Sequence, residues 1–503
     1  MTLAVLTSRA LAGVDAPAVR VETHLAAGLP TFTVVGLADV EVRESRERVR
    51  AAILNSGYDF PAGRITVNLS PADLRKESGR FDLPMALGVL LASGQISLPA
   101  ELAGQGDDAL AHVVLAGELS LTGTLVPVAA PLAIALGTAR DHADAELILP
   151  ALSAAQAAHV PGLRVWAAHT LTEVVSHLTG AAPLAVARPA PWPEPPPLPC
   201  LSDVRGQGGA RRALELAAAG GHSLLMVGPP GAGKSMLAQR LPGILPPLDA
   251  EHALEAAAIA SLTGEPGTMG TQPPFRAPHH TASAAALVGG GARPRPGEIS
   301  RAHHGVLFLD ELPEFSRRAL EALREPLETG QISISRAMQT VRYPARFQFV
   351  AAMNPCPCGW RGHPRHACRC SSEQAARYRA KVSGPMLDRI DLHVMLPPAQ
   401  ADWMSLPSGE PSAAIRDRVV ACRARQMARQ GEPNVALVGH QLEECCPMSE
   451  DAHELLREAM SRLHASARAT HRALRVARTA ADLDGEEIIG DRHIAEAVQY
   501  RLA

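Results

Sequence analysis

The sequence predicts an α/β protein: two unlike α/β parts joined by a proline-rich segment, followed by a small all-helical domain. Three observations carry that prediction. Strand-length apolar runs alternate with helical segments, a glycine-rich loop directly follows one of those runs, and only helical periodicity remains near the C-terminus. At 503 residues and 47% hydrophobic, the chain has the length for roughly three domains, each with its own core.

Short β-type runs at 31–35, 64–68 and 111–115, with helical segments at 41–55 and 82–91, make residues 1–180 a mixed α/β domain. Residues 184–201, LAVARPAPWPEPPPLPCL, are dense in proline and read as an extended, semi-rigid linker, bounded at 181–201. A helix at 210–219 and an apolar strand at 224–227 then lead into the glycine-rich loop, and further apolar strands fall at 306–309 and 347–353. That alternation over 202–400 predicts a parallel sheet. Within 401–503, residues 451–463, 466–483 and 491–502 read as the helices of a lid.

Composition excludes several classes. Net charge is −3 and the isoelectric point about 6.7, so no global field draws the chain to a polyanion; contacts with nucleic acid require local arginine patches. Aromatics are only 3%, which argues against a surface that grips single strands mainly by stacking. The longest apolar run, 125–136, is too short to span a bilayer and carries Pro127 and Pro131. No basic segment precedes an apolar stretch at the N-terminus, and eight cysteines in this length do not make a secreted disulfide framework. The expectation is a cytoplasmic protein with no membrane partner.

The glycine-rich loop is GPPGAGKS: Gly228, Pro229, Pro230, Gly231, Ala232, Gly233, Lys234 and Ser235. It meets every specified position of G-x-x-x-x-G-K-[ST], whose backbone N–H groups cradle phosphates while the hydroxyl takes Mg²⁺. Lys234 is one of three lysines in a chain whose other fixed positive charges are arginines. A compact ammonium reaches β- and γ-phosphates inside a tight backbone nest where a planar guanidinium is too bulky. The chain therefore binds a nucleoside triphosphate. Asp310 and Glu311 end the apolar strand at 306–309, which suits one acid for Mg²⁺ and the next for polarising an attacking water. Asn354 ends the strand at 347–353, where its amide could align that water. Together these residues predict hydrolysis of the bound nucleoside triphosphate; ATP as that nucleotide is what the family resemblance described below implies.

Just beyond Asn354, Cys356, Cys358, Cys368 and Cys370 form C-x-C-x₉-C-x-C in a short stretch rich in arginine and glycine. Such a segment cannot build an apolar core, and four thiolates suit a structural Zn²⁺, with His363 or His366 as alternative ligands.

The order of these parts resembles the AAA+ ATPases, and more closely the magnesium-chelatase-like YifB/ComM family. The strings GHSLLMVGPPGAGKSMLAQRLPGILPPL, FRAPHHTASAAALVGGG, RPGEISRAHHGVLFLDELPEF, AAMNPCPCG and SGPMLDRIDLH carry the resemblance, which runs from about residue 3 to the C-terminus. It implies that Arg389, in LDRIDL, is an arginine finger reaching a neighbouring subunit's γ-phosphate. It also implies that Arg468 is the lid's sensor arginine, with Arg475 and Arg478 as alternatives. A guanidinium supplied by a neighbour makes hydrolysis a property of a homo-oligomer, by family analogy a hexamer. The family further implies a DNA motor driving branch migration in homologous recombination and natural transformation. The alternative is a magnesium-chelatase-type motor for metal insertion into a tetrapyrrole.

Two insertions are candidates for the DNA grip. Residues 275–300 carry Arg276, His279, His280, Arg293 and Arg295, and residues 331–343 read as a hairpin carrying Arg336 and Arg342. Solvated loop charge is the competing reading. Residues 75–91, GELSLTGTLVPV and the α/β pattern of the N-terminal domain resemble the Lon-type protease fold. Arg80 and Leu132 stand at that family's serine and lysine positions, and Lys76 and Ser78 have the wrong spacing for its dyad. An inactive scaffold is expected there, not a protease.

Overall fold

The computed structural model describes residues 3–99, 110–141, 144–264, 270–291, 294–336, 339–399 and 402–501. The chain forms two compact units, Met1–Pro193 with Ala257–Met269, and Glu194–Ala256 with Gly270–Ala503.

The first unit is built on an eight-stranded mixed sheet. Its strands are β1 (Leu3–Arg9), β2 (Ala18–Ala26), β3 (Thr31–Val35), β4 (Arg64–Ser70), β5 (Val113–Leu115), β8 (Glu146–Pro150), β9 (Arg164–Ala168) and β10 (Ala185–Val186), in the order β10-β9-β8-β5-β1-β2-β4-β3. A separate two-stranded ribbon pairs β6 (Glu118–Leu119) with β7 (Leu125–Val126). The helix Asp82–Ala92 has no polar stripe because almost all of its residues are buried. Its N-terminal Asp82 is buried too, and is held by Arg48 Nε at 2.8 Å and by the Leu119 N–H. Arg80 and Leu132 are both buried; Arg80 Nε donates to Ser78 Oγ, and the buried Lys76 ammonium donates to the Pro71 carbonyl. Part of the proline-rich segment is fixed to this unit: β10 pairs with β9, and Trp192 stacks on His159 with ring centroids 3.8 Å apart.

The second unit holds a five-stranded, all-parallel sheet. It comprises β11 (Leu224–Val227), β12 (Phe275–Arg276), β15 (Val306–Leu309), β18 (Gln348–Met353) and β19 (Leu392–Met395), ordered β12-β15-β18-β11-β19. Two small hairpins, β13 (Gly289–Gly290) with β14 (Arg295–Pro296) and β16 (Gln331–Arg336) with β17 (Gln339–Pro344), stand apart from it in the topology. Its helices include Gly208–Gly220 before β11, and Ser412–Gln430, Glu450–Arg462, Ala467–Asp484 and Asp491–Gln499 toward the C-terminus. One apolar cluster runs from Leu224 and Val350 to Val476 and Ile494, so sheet and C-terminal helices share a core. Polar ties supplement it. Buried His222, just before β11, bonds Thr479 Oγ1 at 2.7 Å; burial pushes its pKa down to about 4, so the imidazole is neutral. Asp482, also buried, accepts from Arg429, Arg478 and Asn434. Among the described residues, no helix is long and apolar enough to cross a membrane.

Candidate functional site

Parallel pairing in register sets the site. Val227 lies opposite Met353, and Leu309 opposite Ala351, so β11, β18 and β15 end along one edge of the sheet. The residues that follow them, Gly228, Asn354 and Asp310, therefore emerge together, at the carboxyl ends where ligands of open α/β sheets bind. Gly231 and Gly233 take φ of +77° and +90°, which L side chains rarely adopt. Gly228 is required for a different reason: a Cβ there would lie 2.9 Å from the Leu396 carbonyl.

Lys234 Nζ donates to the carbonyls of Gly228 (2.7 Å) and Pro229 (3.0 Å) and to Asn354 Oδ1 (3.0 Å). Burial lowers its pKa, opposed by the negative charges of Asp310 and Glu311. Ser235 Oγ donates to Asp310 Oδ2 in a short hydrogen bond, and the Glu311 N–H donates to Asp310 Oδ1 at 2.9 Å. The loop hydroxyl and the strand-end carboxylate thus converge, the arrangement that holds Mg²⁺ beside a triphosphate. Glu311 has φ +53°, a left-handed conformation costly for a non-glycine residue, and its half-exposed carboxylate lies 3.2 Å from His280 Nδ1. His280 stands out in the sequence only as part of a basic insertion, yet its ring nitrogen lies against the Glu311 carboxylate.

The cysteine segment leans on the phosphate loop. Gly359 has φ +80°, and a Cβ there would lie 2.5 Å from Pro230 Cδ. The sulfurs of Cys356, Cys358 and Cys368 are 3.5–3.6 Å apart, and Cys370 completes a group of four within 4.8 Å. Tetrahedral zinc with 2.3 Å bonds sets sulfurs about 3.8 Å apart, far beyond the roughly 2.05 Å of a disulfide. Backbone N–H groups of Trp360 and Arg369 pull the Cys358 thiol down to about 6, whereas burial and the neighbouring sulfurs raise Cys368 and Cys370, so four thiolates at this spacing require a cation among them. His363 Nδ1 is instead taken by the N–H groups of Arg365 and His366. The donor set fits zinc with four cysteines.

Arg389 lies at the opposite edge. It precedes β19, and its carbonyl accepts from Ser223 Oγ at 3.1 Å, at the start of β11. Gly228 is five residues further along that extended strand, on the order of 16 Å away. The Arg389 guanidinium donates to Pro385 O (2.6 Å) and to Glu328 Oε1. Arg468, in the first turn of the helix Ala467–Asp484, donates to the same Glu328 oxygen at 3.2 Å. The two arginines therefore meet at one carboxylate. Arg475 and Arg478 are committed elsewhere, to Val435 O and to Asp482 with Glu487 O.

The two basic insertions are fastened to each other. Tyr343 donates its hydroxyl to Pro294 O at 2.8 Å, and a Cβ on Gly289 would lie 2.8 Å from Ile334 Cδ1. Arg276 is paired with Glu298 at 2.7 Å, so it does not face outward as a grip; Arg295 and Arg342 are exposed. Arg293 and the side chain of Arg336 lie outside the described residues.

The family models for magnesium chelatase subunit ChlI match residues 200–404, those for subunit ChlI of Mg-chelatase match 21–153, and those for the ChlI C-terminal region match 409–501. The chain is 46% identical over 506 residues to YifB of Salmonella typhimurium and to YifB of Escherichia coli, covering 100% of this chain and 97% of each relative. It is 45% identical over 510 residues to the competence protein ComM of Haemophilus influenzae, covering 100% of this chain and 98% of that one. The chain belongs to the magnesium-chelatase-like YifB/ComM family of AAA+ ATPases. Membership in this AAA+ family implies ATPase activity, with ATP and Mg²⁺ as its ligands.

Proposed function

We propose that this YifB/ComM-family chain is an ATP-driven ring motor acting on DNA, a hexameric branch-migration helicase or translocase in recombination and natural transformation. The observation that carries the ring is the placement of Arg389 and Arg468. Both gather at the sheet edge remote from their own phosphate loop, so an arginine finger on this chain serves a neighbouring subunit's nucleotide. In this reading Gly228 to Ser235 cradle the phosphates, Ser235 and Asp310 hold Mg²⁺, Glu311 takes a proton from the attacking water and Asn354 orients it. Bound Mg²⁺ neutralises charge on the phosphate oxygens.

The DNA assignment is supported by full-length similarity to a competence protein and by the exposed Arg295 and Arg342 on the joined hairpins. Matches to a magnesium chelatase subunit favour the second reading, a motor for metal insertion into a tetrapyrrole. ATP turnover measured with and without forked or four-way-junction DNA, followed by strand displacement, separates them. Stimulation and unwinding are expected; neither occurring would overturn the DNA reading.

Structural zinc on Cys356, Cys358, Cys368 and Cys370 is part of the proposal. Elemental analysis is expected to give one zinc per chain. Cys356→Ser should lose the metal and lower the melting temperature by about 5 °C or more. Because Gly359 rests on Pro230, ATP affinity should fall with it. Metal-free chain of unchanged melting temperature would refute the staple.

A further inference from the structure

We propose that Glu328 is a positioning residue that stores Arg389 and Arg468 in the resting chain and yields them when the β16–β17 hairpin moves. The inference rests on the reading of Arg389 as the finger for a neighbour's nucleotide and adds a regulator to it.

Three observations carry it. First, one carboxylate oxygen accepts from both guanidinium groups. Two like charges brought that close repel unless an anion lies between them, so Glu328 is what keeps the pair together. Second, Arg389 is held in reserve. Its side chain is only 9% exposed, Nη1 is taken by Pro385 O and Nη2 by Glu328, and its buried Nε has no hydrogen-bond partner among the described residues. A residue that must reach another subunit cannot do so from this position, and the orphaned N–H weakens its hold on the stored state. Third, Glu328 is mechanically continuous with the hairpin. It sits in the helix Arg324–Thr329, one residue before Thr329, and β16 begins at Gln331. The Thr329 hydroxyl donates to Glu325 O (2.9 Å) and accepts from the Gln331 N–H (3.2 Å). Between them Gly330 takes φ +68°, where a Cβ would lie 2.9 Å from Arg346 Cγ. The outgoing end of the hairpin returns to the same turn, because the Ala345 N–H donates to Gly330 O at 2.8 Å. Displacement of the hairpin by a bound strand therefore moves Glu328 relative to the arginines it holds. Among the described residues, the side-chain partners of Glu328 are Arg389 and Arg468, so its effect on turnover runs through the arginines.

Glu328→Gln, made in the full chain, tests this. The glutamine keeps the shape and one acceptor but loses the charge. With the site half-exposed, the fold should be retained, as checked by thermal melting. The expected result is a rise of about fivefold in DNA-free kcat with KM for ATP unchanged, and little further stimulation by DNA. Adding Arg389→Ala should abolish that gain. A folded Glu328→Gln chain whose DNA-free kcat stays at or below wild type overturns the proposal. The underlying reading fails separately: if Arg389→Ala alone turns over ATP at the wild-type rate, Arg389 is not a finger and storage falls with it. If wild type ignores DNA, the DNA assignment falls, and the DNA-free rate of Glu328→Gln still decides whether the arginines are stored.

Discussion

Glu311→Gln is expected to reduce ATP turnover by about 10²–10⁴-fold while leaving nucleotide binding nearly intact. The geometry separates this residue from its neighbour. Asp310 is turned toward Ser235 and is committed to the loop, so removing its charge should weaken Mg²⁺ and nucleotide together. Glu311, among the described residues, has its carboxylate paired with His280 and not with the phosphate loop. Its left-handed backbone (φ +53°) turns it out of the strand direction, and its half-exposed carboxylate is steadied by His280 at 3.2 Å. A group held in an unfavourable backbone conformation, at the tip of a buried strand and open to solvent, suits proton abstraction from water. Glutamine preserves volume and the His280 contact while removing the base. Steady-state turnover at saturating ATP, with binding of a fluorescent nucleotide measured in parallel, checks the outcome. Turnover within about threefold of wild type would place the base elsewhere. Lys234→Ala is the control with the opposite signature, since it should fail at binding.

The parts of this site that were legible in the sequence are those the chain order itself encodes. The strands at 31–35, 224–227 and 306–309 are found at those bounds, because each is a short β-rich or apolar run cut off by glycine, aspartate or a turn. In-register parallel pairing then brings Gly228, Asp310 and Asn354 to one edge without further information. Elements whose burial depends on distant partners were not legible. In β1, the buried Arg9 finds Asp141 at 2.6 Å, 132 residues away, so its strand reads as broken by charge. The helix Ser412–Gln430 buries only Ile415, Val419, Cys422 and Gln426, a stripe too polar to stand out among its arginines. The apolar run at 125–136 splits into β7 and the helix Pro131–Asp141, with Pro131 at a first-turn position where its missing N–H costs nothing. The same limit applies to function. Glu328 meets Arg389 and Arg468 across 61 and 140 residues, and no local pattern marks a carboxylate chosen by two remote arginines.

Mixing two inactive variants is expected to restore activity, and this is the most direct consequence of where Arg389 lies. Lys234→Ala lacks a working phosphate site but keeps its arginines. Arg389→Ala keeps the phosphate site and lacks the proposed finger. Arg389 and Gly228 stand at opposite ends of β11 and β19, on the order of 16 Å apart along the strands, so no side-chain rotation brings the finger to its own loop. Each variant alone should then lose most of its turnover, the finger being worth about 10³–10⁵-fold where a neighbour supplies it. In a one-to-one mixture, an interface works when an Arg389→Ala subunit offers its nucleotide to a Lys234→Ala subunit, which for random closed rings is about a quarter of interfaces. Turnover near a quarter of wild type, appearing only after the proteins are mixed and assembled, is the expected reading. If the mixture stays as inactive as its parts while both variants still form rings, the arginine does not act across the interface. Arg468→Ala can replace Arg389→Ala in the same experiment. Because Arg468 shares the Glu328 oxygen with Arg389, it too should be rescued by a partner that carries it, which makes the lid's arginine a neighbour's residue as well.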